Sequence, residues 1–497
     1  MARRDECLAV VLFIIIFLGS FTLGGDMMTP AKAAKLDEVL TLYHKAGQLN
    51  GVVLVGEEGK VTYKQAFGCR NLEKKMANQG DTQFYIYEMT KPFTAVLILQ
   101  LVEEGKLKLA GNISDYLPYY RKDTGQGVTI HHLLTETHGL RGLNVLELPP
   151  TLSCSVREFV VTYLSGDRES GAVGKFKDSG LTGYTLLGAC IEAVTGKTYR
   201  QVLKERILGP LKMKNSGFIG GHRPHPNRAV PYRQTFFYEA QRLRHFFDFQ
   251  CNGCSSMAAA AGDLFDFLGA LIADRLISKE SRESMFKPHV PAWEGHSAGY
   301  GWFLKRLKLA GLDTEKAFFV QGGGECSSIL YSPDDHVSIV LLNNIGGVDV
   351  IGIETAIMRI LYGLPVDLPK QSIVKSLLKT FVKDGLAGTL EQYRRLSARH
   401  SRSYDFGEGE LIQLGRKILT LGKKDEAAAI IKLNLQSYPQ SWQTYYNLGR
   451  VLIIKGDKEA AVENFRQALE LNPRRSREEW GAYIKTQRIL AALKRKD

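Results

Sequence analysis

The chain has 497 residues, of which 44% are hydrophobic and 24% are charged. This composition excludes an intrinsically disordered chain, and the length predicts two or three domains. The formal net charge is +13, and residues 374–497 hold 24 lysines and arginines against 14 acids. These charges alternate in helical patterns without an aromatic-basic motif. This pattern favours a solvated helical surface over an acidic partner, an anionic membrane face or nucleic acid.

The first 33 residues have the pattern of an export signal. Arg3 and Arg4 precede an apolar run over residues 8–23, and Ala31-Lys32-Ala33 has the small-residue spacing of a cleavage site. The apolar run is also just long enough for an uncleaved N-terminal anchor. Both alternatives predict an exported protein, either periplasmic or extracellular or held at a membrane by this segment alone.

The region after the leader begins with a helix and a hairpin. The apolar spacing predicts an amphipathic helix over residues 36–49. Strands are predicted over 51–55 and 61–67, because alternating apolar residues there flank the turn Glu57-Glu58-Gly59. A strongly apolar helix is then predicted from Pro92 to Glu104.

The middle of the chain continues with helices and ends in strands. Helices are predicted over residues 185–194, 199–207 and 258–272, and strands over 317–320, 327–331 and 337–342. A front hairpin, central helices and consecutive later strands predict an α+β domain in which an antiparallel sheet is flanked by helices.

A proline-containing segment separates this domain from a helical C-terminal part. We predict an α+β domain over 34–363, a linker over 364–372 and an all-α domain over 373–497. Two tetratricopeptide-like repeats are predicted over 408–441 and 442–475. Their matching positions, 34 residues apart, are Leu414 and Leu448, Gly415 and Gly449, Ala427 and Ala461, Ile431 and Phe465, Asn434 and Ala468, and Pro439 and Pro473. Asn434 alone departs from the pattern. Since two copies bury little apolar surface alone, we expect flanking helices to cap them.

Cysteine and histidine residues do not form a convincing metal site. Cys251 and Cys254 make a C-x-x-C pair, but no second pair at similar spacing completes a zinc site. We therefore expect small buried residues or an ordinary disulfide. His131, His132 and His138 lack a completing carboxylate, and we expect them to be surface or turn residues. The sequence predicts no metal and no cofactor.

A series of short motifs runs through the predicted α+β domain. They are Glu88-Met89-Thr90-Lys91-Pro92-Phe93-Thr94-Ala95, Thr129-Ile130-His131-His132-Leu133-Leu134-Thr135-Glu136-Thr137-His138-Gly139-Leu140, Gly183-Tyr184-Thr185-Leu186-Leu187-Gly188, Pro210-Leu211-Lys212-Met213 and Tyr300-Gly301-Trp302. Over residues 36–362 the chain resembles the β-lactamase-related serine hydrolases, which include class C β-lactamases, penicillin-binding DD-peptidases and esterases. The resemblance implies the fold of that family, with the helical tail found behind some bacterial members.

Three motifs carry the chemistry in that family, and this chain departs from each. The S-x-x-K motif supplies a serine nucleophile and a lysine that accepts its proton; here Lys91 is present, but Glu88 stands at the serine. A Y-x-N motif should lie just before Gly183-Tyr184, where Ser179 is the nearest hydroxyl. The basic residue of the K-T-G or H-x-G strand is replaced by Gln321.

These departures predict a non-catalytic protein. Glu88, three residues before Lys91 at a helix start, is expected to form an ion pair with it. The cleft would then bind a small molecule, a peptide or a protein, and the repeats would dock a protein partner. The alternative is a hydrolase of a small ester, amide or peptide that uses replacement residues, with Glu88 as a general base. A scaffold in which only the helical tail matters is the third interpretation.

Overall fold

The computed structural model describes residues 28–143, 154–165, 173–176, 181–219, 225–234, 240–243, 253–293, 295–324, 326–399, 403–472 and 477–494. The apolar run of the predicted leader lies outside these residues, as do Ser179 and Cys251. None of the described helices combines the length and the apolar character needed to cross a membrane.

The strands in chain order are short except in the central sheet. They are β1 Gly51–Glu57, β2 Lys60–Ala66, β3 Cys69–Asn71, β4 Met76–Ala77, β5 Phe84–Tyr85, β6 Gly217–Phe218, β7 Tyr232–Gln234, β8 Ala240–Arg242, β9 Met257–Ala259, β10 Val290–Pro291, β11 His296–Ala298, β12 Phe303–Leu307, β13 Lys316–Gly323, β14 Ser327–Ser332, β15 Val337–Asn343, β16 Ile345–Gly346, β17 Gln371–Ser372 and β18 Tyr404–Asp405.

The helices divide between the two parts of the chain. Those of the first part are α1 Pro30–Lys45, α2 Lys91–Glu103, α3 Ile113–Tyr116, α4 Lys122–Gly125, α5 Ile130–Leu134, α6 Val156–Phe159, α7 Thr182–Thr195, α8 Tyr199–Leu203, α9 Ala261–Ile272, α10 Lys279–Phe286 and α11 Val350–Leu361. Those of the second part are α12 Ile373–Arg399, interrupted at Gly385, then α13 Glu408–Thr420, α14 Lys424–Asn434, α15 Trp442–Lys455, α16 Lys458–Leu471 and α17 Arg477–Lys494.

The first helix begins earlier than the sequence pattern predicts. Pro30 occupies its first turn, where a missing N–H costs no helical hydrogen bond, and the Thr29 side chain accepts a hydrogen bond from the Lys32 N–H. Ala31-Lys32-Ala33, the predicted cleavage site, therefore lies in the first turn of α1. The helix predicted over 258–272 is wrong at its start, because residues 257–259 form β9.

Eight strands form one antiparallel sheet in the order β10-β11-β12-β13-β14-β15-β1-β2. The sheet separates two apolar layers, and successive residues of β1 face opposite layers. Val52 and Leu54 join the large cluster that includes α2, α7 and α9, whereas Val53 and Val55 pack in the cluster that includes α1 and α11. All seven residues of β1 are buried. Burial on both faces accounts for the continuous apolar run from Val52 to Val55. The α+β class and the predicted antiparallel sheet are confirmed.

The C-terminal helices pair as the repeat pattern predicts. A Cβ on Gly415 would lie 2.3 Å from Ile431 Cγ1, so this glycine permits the close approach of α13 and α14. Asn434, the residue that departs from the pattern, is buried, and its side-chain amide is hydrogen-bonded. Its Nδ2 donates hydrogen bonds of 2.8 Å to the Glu408 carbonyl and to Thr444 Oγ1.

Candidate functional site

A single turn of 3-10 helix places Glu88 and Lys91 at the start of α2. The turn spans Tyr87–Thr90 and runs directly into α2, whose first residue is Lys91. Tyr87 has a φ of 46°, in the left-handed region that side-chain-bearing residues rarely adopt. The turn therefore holds an uncommon backbone conformation directly before Glu88.

Strand β13 reaches this turn at a distance that only glycine permits. A Cβ on Gly323 would lie 2.1 Å from the Ile86 carbonyl oxygen. Gly324 has a φ of 59°, and a Cβ there would lie 2.3 Å from the Tyr87 ring. The strand motif that begins at Gln321 is thus brought against Glu88 by direct backbone contact.

Lys91 forms its ion pair with Glu136. Lys91 Nζ lies 2.8 Å from Glu136 Oε1, and the two side chains are only 5% and 6% exposed. The predicted Glu88–Lys91 ion pair is therefore wrong. Glu136 follows α5 with a φ of 57°, and this backbone turn places its carboxylate beside the lysine.

The electrostatic surroundings keep Lys91 protonated. Burial is the largest single influence and lowers the pKa of Lys91, but Glu136, together with Cys254 and Glu88, holds the pKa above its usual value. The ammonium also lies 5.3 Å from the centroid of the Tyr184 ring. Burial and Glu136 raise the pKa of Tyr184 well above its usual value, so its hydroxyl stays neutral and donates to the Leu134 carbonyl.

The Glu88 carboxylate turns towards the end of β13. Its Oε2 accepts a 3.0 Å hydrogen bond from the Gly324 N–H. Within the described part of the chain, Glu88 Oε1 receives no hydrogen bond. One carboxylate oxygen is thus held by a main-chain donor, and the other remains available to a ligand.

Gln321 lies beside Glu88 and is 3% exposed. Its Nε2 donates to the Glu88 carbonyl at 3.1 Å and to the Gly322 carbonyl at 3.3 Å. Its Oε1 is buried and meets no donor among the described residues. Gln321 therefore supports the backbone of Glu88 and leaves an unsatisfied acceptor beside it.

The last sequence candidate, Ser179, cannot be placed. It belongs to residues 177–180, which lie outside the described residues. The structure thus brings Glu88, Lys91 and Gln321 together, and a contact of Ser179 with them stays a prediction.

These residues line an open cleft of about 840 Å³. Its lining residues are Glu88, Lys91, Glu136, Trp293, His296, Phe303, Val320, Gln321, Gly322, Gly323, Gly324, Cys326, Ser327, Val348, Asp349, Val350 and Ile351. One wall is aromatic, since the Trp293 and Phe303 rings lie 4.5 Å apart. The volume is in the range of small-molecule sites.

The histidines of the α5 motif have structural contacts. His131 Nδ1 and the Tyr300 hydroxyl form a 2.8 Å hydrogen bond, and burial lowers the pKa of His131 to about 4, so it is neutral. Of the two expected settings for His138, surface or turn, the surface is wrong, because the side chain is buried; its Nδ1 accepts from the Leu140 N–H. Among the described residues no group of three metal-ligating side chains is found.

Comparison with known proteins identifies the fold. The β-lactamase family model matches residues 36–360, and a tetratricopeptide repeat model matches residues 443–475. The chain belongs to the β-lactamase family. Its N-terminal part thus carries a family fold, and its C-terminal part carries a tetratricopeptide repeat.

Relatives within the β-lactamase family include penicillin-binding proteins and esterases. The chain is 29% identical over 275 residues to the putative penicillin-binding protein PbpX of Bacillus subtilis, covering 54% of this chain and 65% of PbpX. It is 32% identical over 218 residues to esterase EstB of Burkholderia gladioli, covering 40% of this chain and 54% of EstB. The octameric penicillin-binding protein homologue from Pyrococcus abyssi superimposes with a TM-score of 0.58 at 25% identity, covering 71% of this chain and 81% of that one.

Sequence reasoning missed two parts of the site. Glu136 stands where the family segment L-L-T-H-T-S-G-L has histidine, so this mismatch was a visible signal. Trp293, His296 and Phe303 belong to no motif, and only the pairing of β11 with β12 brings His296 and Phe303 to one cleft. Such residues are found from tertiary structure alone.

Proposed function

We propose that this chain is a non-catalytic, exported member of the β-lactamase family whose cleft binds a ligand. The observation that carries the proposal is the hydrogen bond from the Gly324 N–H to the Glu88 carboxylate. Family members stabilise the reacting carbonyl oxygen with main-chain N–H groups near this strand motif. In this chain Glu88 stands at the position of the serine nucleophile. Its carboxylate accepts the hydrogen bond of one such main-chain donor, the Gly324 N–H.

The state of Lys91 supports the same proposal. A lysine that accepts a proton from a nucleophile must itself be neutral. Lys91 is buried against Glu136 with its pKa held above the usual value, so it stays an ammonium. Removing the nucleophile alone lowers turnover by on the order of a millionfold in hydrolases of this general kind. Here both the nucleophile and the proton acceptor are unsuited to acyl transfer.

The alternative function is hydrolysis by replacement chemistry. The observation that favours it is Glu88 Oε1, which receives no hydrogen bond within the described residues and could act as a general base on water. The esterase name of EstB fits a small ester as substrate. An argument against it is that Lys91 pairs with Glu136, and no ion pair of Glu88 is found among the described residues.

A turnover assay separates the two functions. The chain and its Glu88→Ala and Lys91→Ala variants would be incubated with nitrocefin and with p-nitrophenyl acetate and butyrate. We expect all three proteins to hydrolyse these compounds at one background rate. Turnover by the parent that disappears in Glu88→Ala would overturn the proposal and establish the hydrolase.

The helical part is proposed to dock a protein partner. A groove of about 400 Å³ between α13 and α15 is lined by Gln413, Arg416, Lys417, Leu419, Thr420, Asn447, Arg450 and Val451. Three of these residues are basic, which favours an acidic partner segment. Deleting residues 370–497 should then abolish partner binding while ligand binding in the cleft persists.

A further inference from the structure

Two acceptor atoms on residues that line the cleft have no donor among the described residues. Glu88 Oε1 receives no hydrogen bond in the described part of the chain, while Oε2 is held by Gly324. Gln321, which is 97% buried and lines the same cleft, has an Oε1 that likewise meets no donor among the described residues. An acceptor without a donor favours a partner that supplies a hydrogen bond. The site is therefore complementary to a ligand that donates hydrogen bonds.

The charged residues that line the cleft favour one sign of charge on that ligand. The described lining residues include three carboxylates, of Glu88, Glu136 and Asp349, and one lysine, Lys91. Lys91 is already neutralised by Glu136 at 2.8 Å. Gln321 supplies no charge at the strand position where the family has a basic residue. The excess of carboxylates therefore favours a cationic ligand over an anionic one.

The aromatic wall suits the same kind of ligand. The rings of Trp293 and Phe303 lie 4.5 Å apart, and the ring of Phe176 packs edge-on against both, at 5.3 and 5.9 Å. This second ring layer fixes the wall. Aromatic faces stabilise cations and apolar groups in recognition sites.

We propose that the cleft binds a protonated primary amine that carries an aromatic or apolar group. The ammonium is received by Glu88 Oε1, and the apolar group packs on Trp293 and Phe303. This inference rests on the proposed function of the cleft as a binding site. The inference adds that the ligand is positively charged and not a carboxylate.

Three probes with one aromatic group and different charges test the inference. Phenethylamine, 2-phenylethanol and 3-phenylpropanoate would be titrated into the full chain by calorimetry at pH 7. We expect phenethylamine to bind at least tenfold more tightly than either of the others. Tighter binding of 3-phenylpropanoate, or no binding of phenethylamine, would overturn the inference.

Matched variants locate the binding. Glu88→Gln keeps the shape of the side chain and removes its charge, and it should weaken phenethylamine binding at least tenfold while leaving 2-phenylethanol binding unchanged. Trp293→Ala should weaken both. Glu459→Gln, an exposed acid on α16, is the control and should have no effect. Equal binding of phenethylamine by Glu88→Gln and the parent would contradict the site, provided circular dichroism shows both folded.

The inference and the proposed function fail in different experiments. Hydrolysis that depends on Glu88 defeats the non-catalytic function, and the charge preference is still measured with these unreactive probes. Absence of hydrolysis together with absence of amine binding defeats the inference alone.

Discussion

Lys91 Nζ lies 2.8 Å from Glu136 Oε1 in an ion pair whose two side chains are about 95% buried. The pair joins the first residue of α2 to the turn after α5, 45 residues later in the chain. Since both charges are largely removed from water, each depends on the other for stabilisation. This dependence makes the pair a structural element of the domain.

Breaking this pair should destabilise the domain strongly. Glu136→Gln leaves the Lys91 ammonium buried without a counter-charge, and we expect a loss of about 3–5 kcal/mol in the free energy of unfolding. Urea unfolding followed by tryptophan fluorescence measures the loss. The exposed pair Lys197–Glu205 is the control, and Glu205→Gln should cost less than about 1 kcal/mol. Equal losses in the two variants would show that Lys91 and Glu136 are effectively solvated.

Gly323, where β13 contacts the chain just before the Tyr87–Thr90 turn, should not tolerate a methyl group. Gly323→Ala places a Cβ 2.1 Å from the Ile86 carbonyl oxygen, so the strand or the turn must move. We expect a loss of about 1–3 kcal/mol in the free energy of unfolding and weaker ligand binding. Gly269→Ala on α9 is the matched control, because its Cβ meets nothing within 4 Å. A Gly323→Ala protein as stable as this control would disprove the close contact.

A buried acid in α11 should make stability depend on pH. Burial raises the pKa of the Glu354 carboxyl from an ordinary 4.5 to about 7, and Lys305 opposes this in part. Because the folded state holds this proton more tightly, the contribution is fully present below about pH 4.5 and is lost as the pH rises through about 7. The total change is about 3 kcal/mol.

The variant Glu354→Gln tests that dependence. It cannot ionise, so it should match the parent near pH 4.5 and exceed its stability at pH 8. Thermal unfolding across pH 4.5–8 measures both proteins. Parallel curves for the parent and the variant would mean that Glu354 does not titrate in this range.

Much of the fold follows from local patterns in the sequence. The hairpin β1–β2 and the strands β13–β15 were predicted because alternating or continuous apolar runs are bounded by turn residues. The repeat spacing likewise predicts paired helices, and α13 and α14 meet closely at Gly415 and Ile431. Such features depend on neighbouring residues and need no knowledge of the tertiary fold.

The site was predicted less well, for a physical reason. The spacing of Glu88 and Lys91 suggested a local ion pair, but the turn at Tyr87 and the Gly324 N–H draw the Glu88 carboxylate to β13. Lys91 instead meets Glu136, a residue remote in sequence. Contacts between distant segments depend on how the elements pack, and a motif read along the chain does not contain that information.

Covalent labelling tests the central claim most directly. The full chain would be incubated with a fluorescent penicillin and with a fluorophosphonate probe, beside its Glu88→Ser variant, and intact mass would be recorded. We predict no adduct on the parent chain, because a carboxylate held by Gly324 replaces the serine and Lys91 stays protonated. A stoichiometric adduct on the parent would contradict the account, and the labelled peptide would identify the nucleophile.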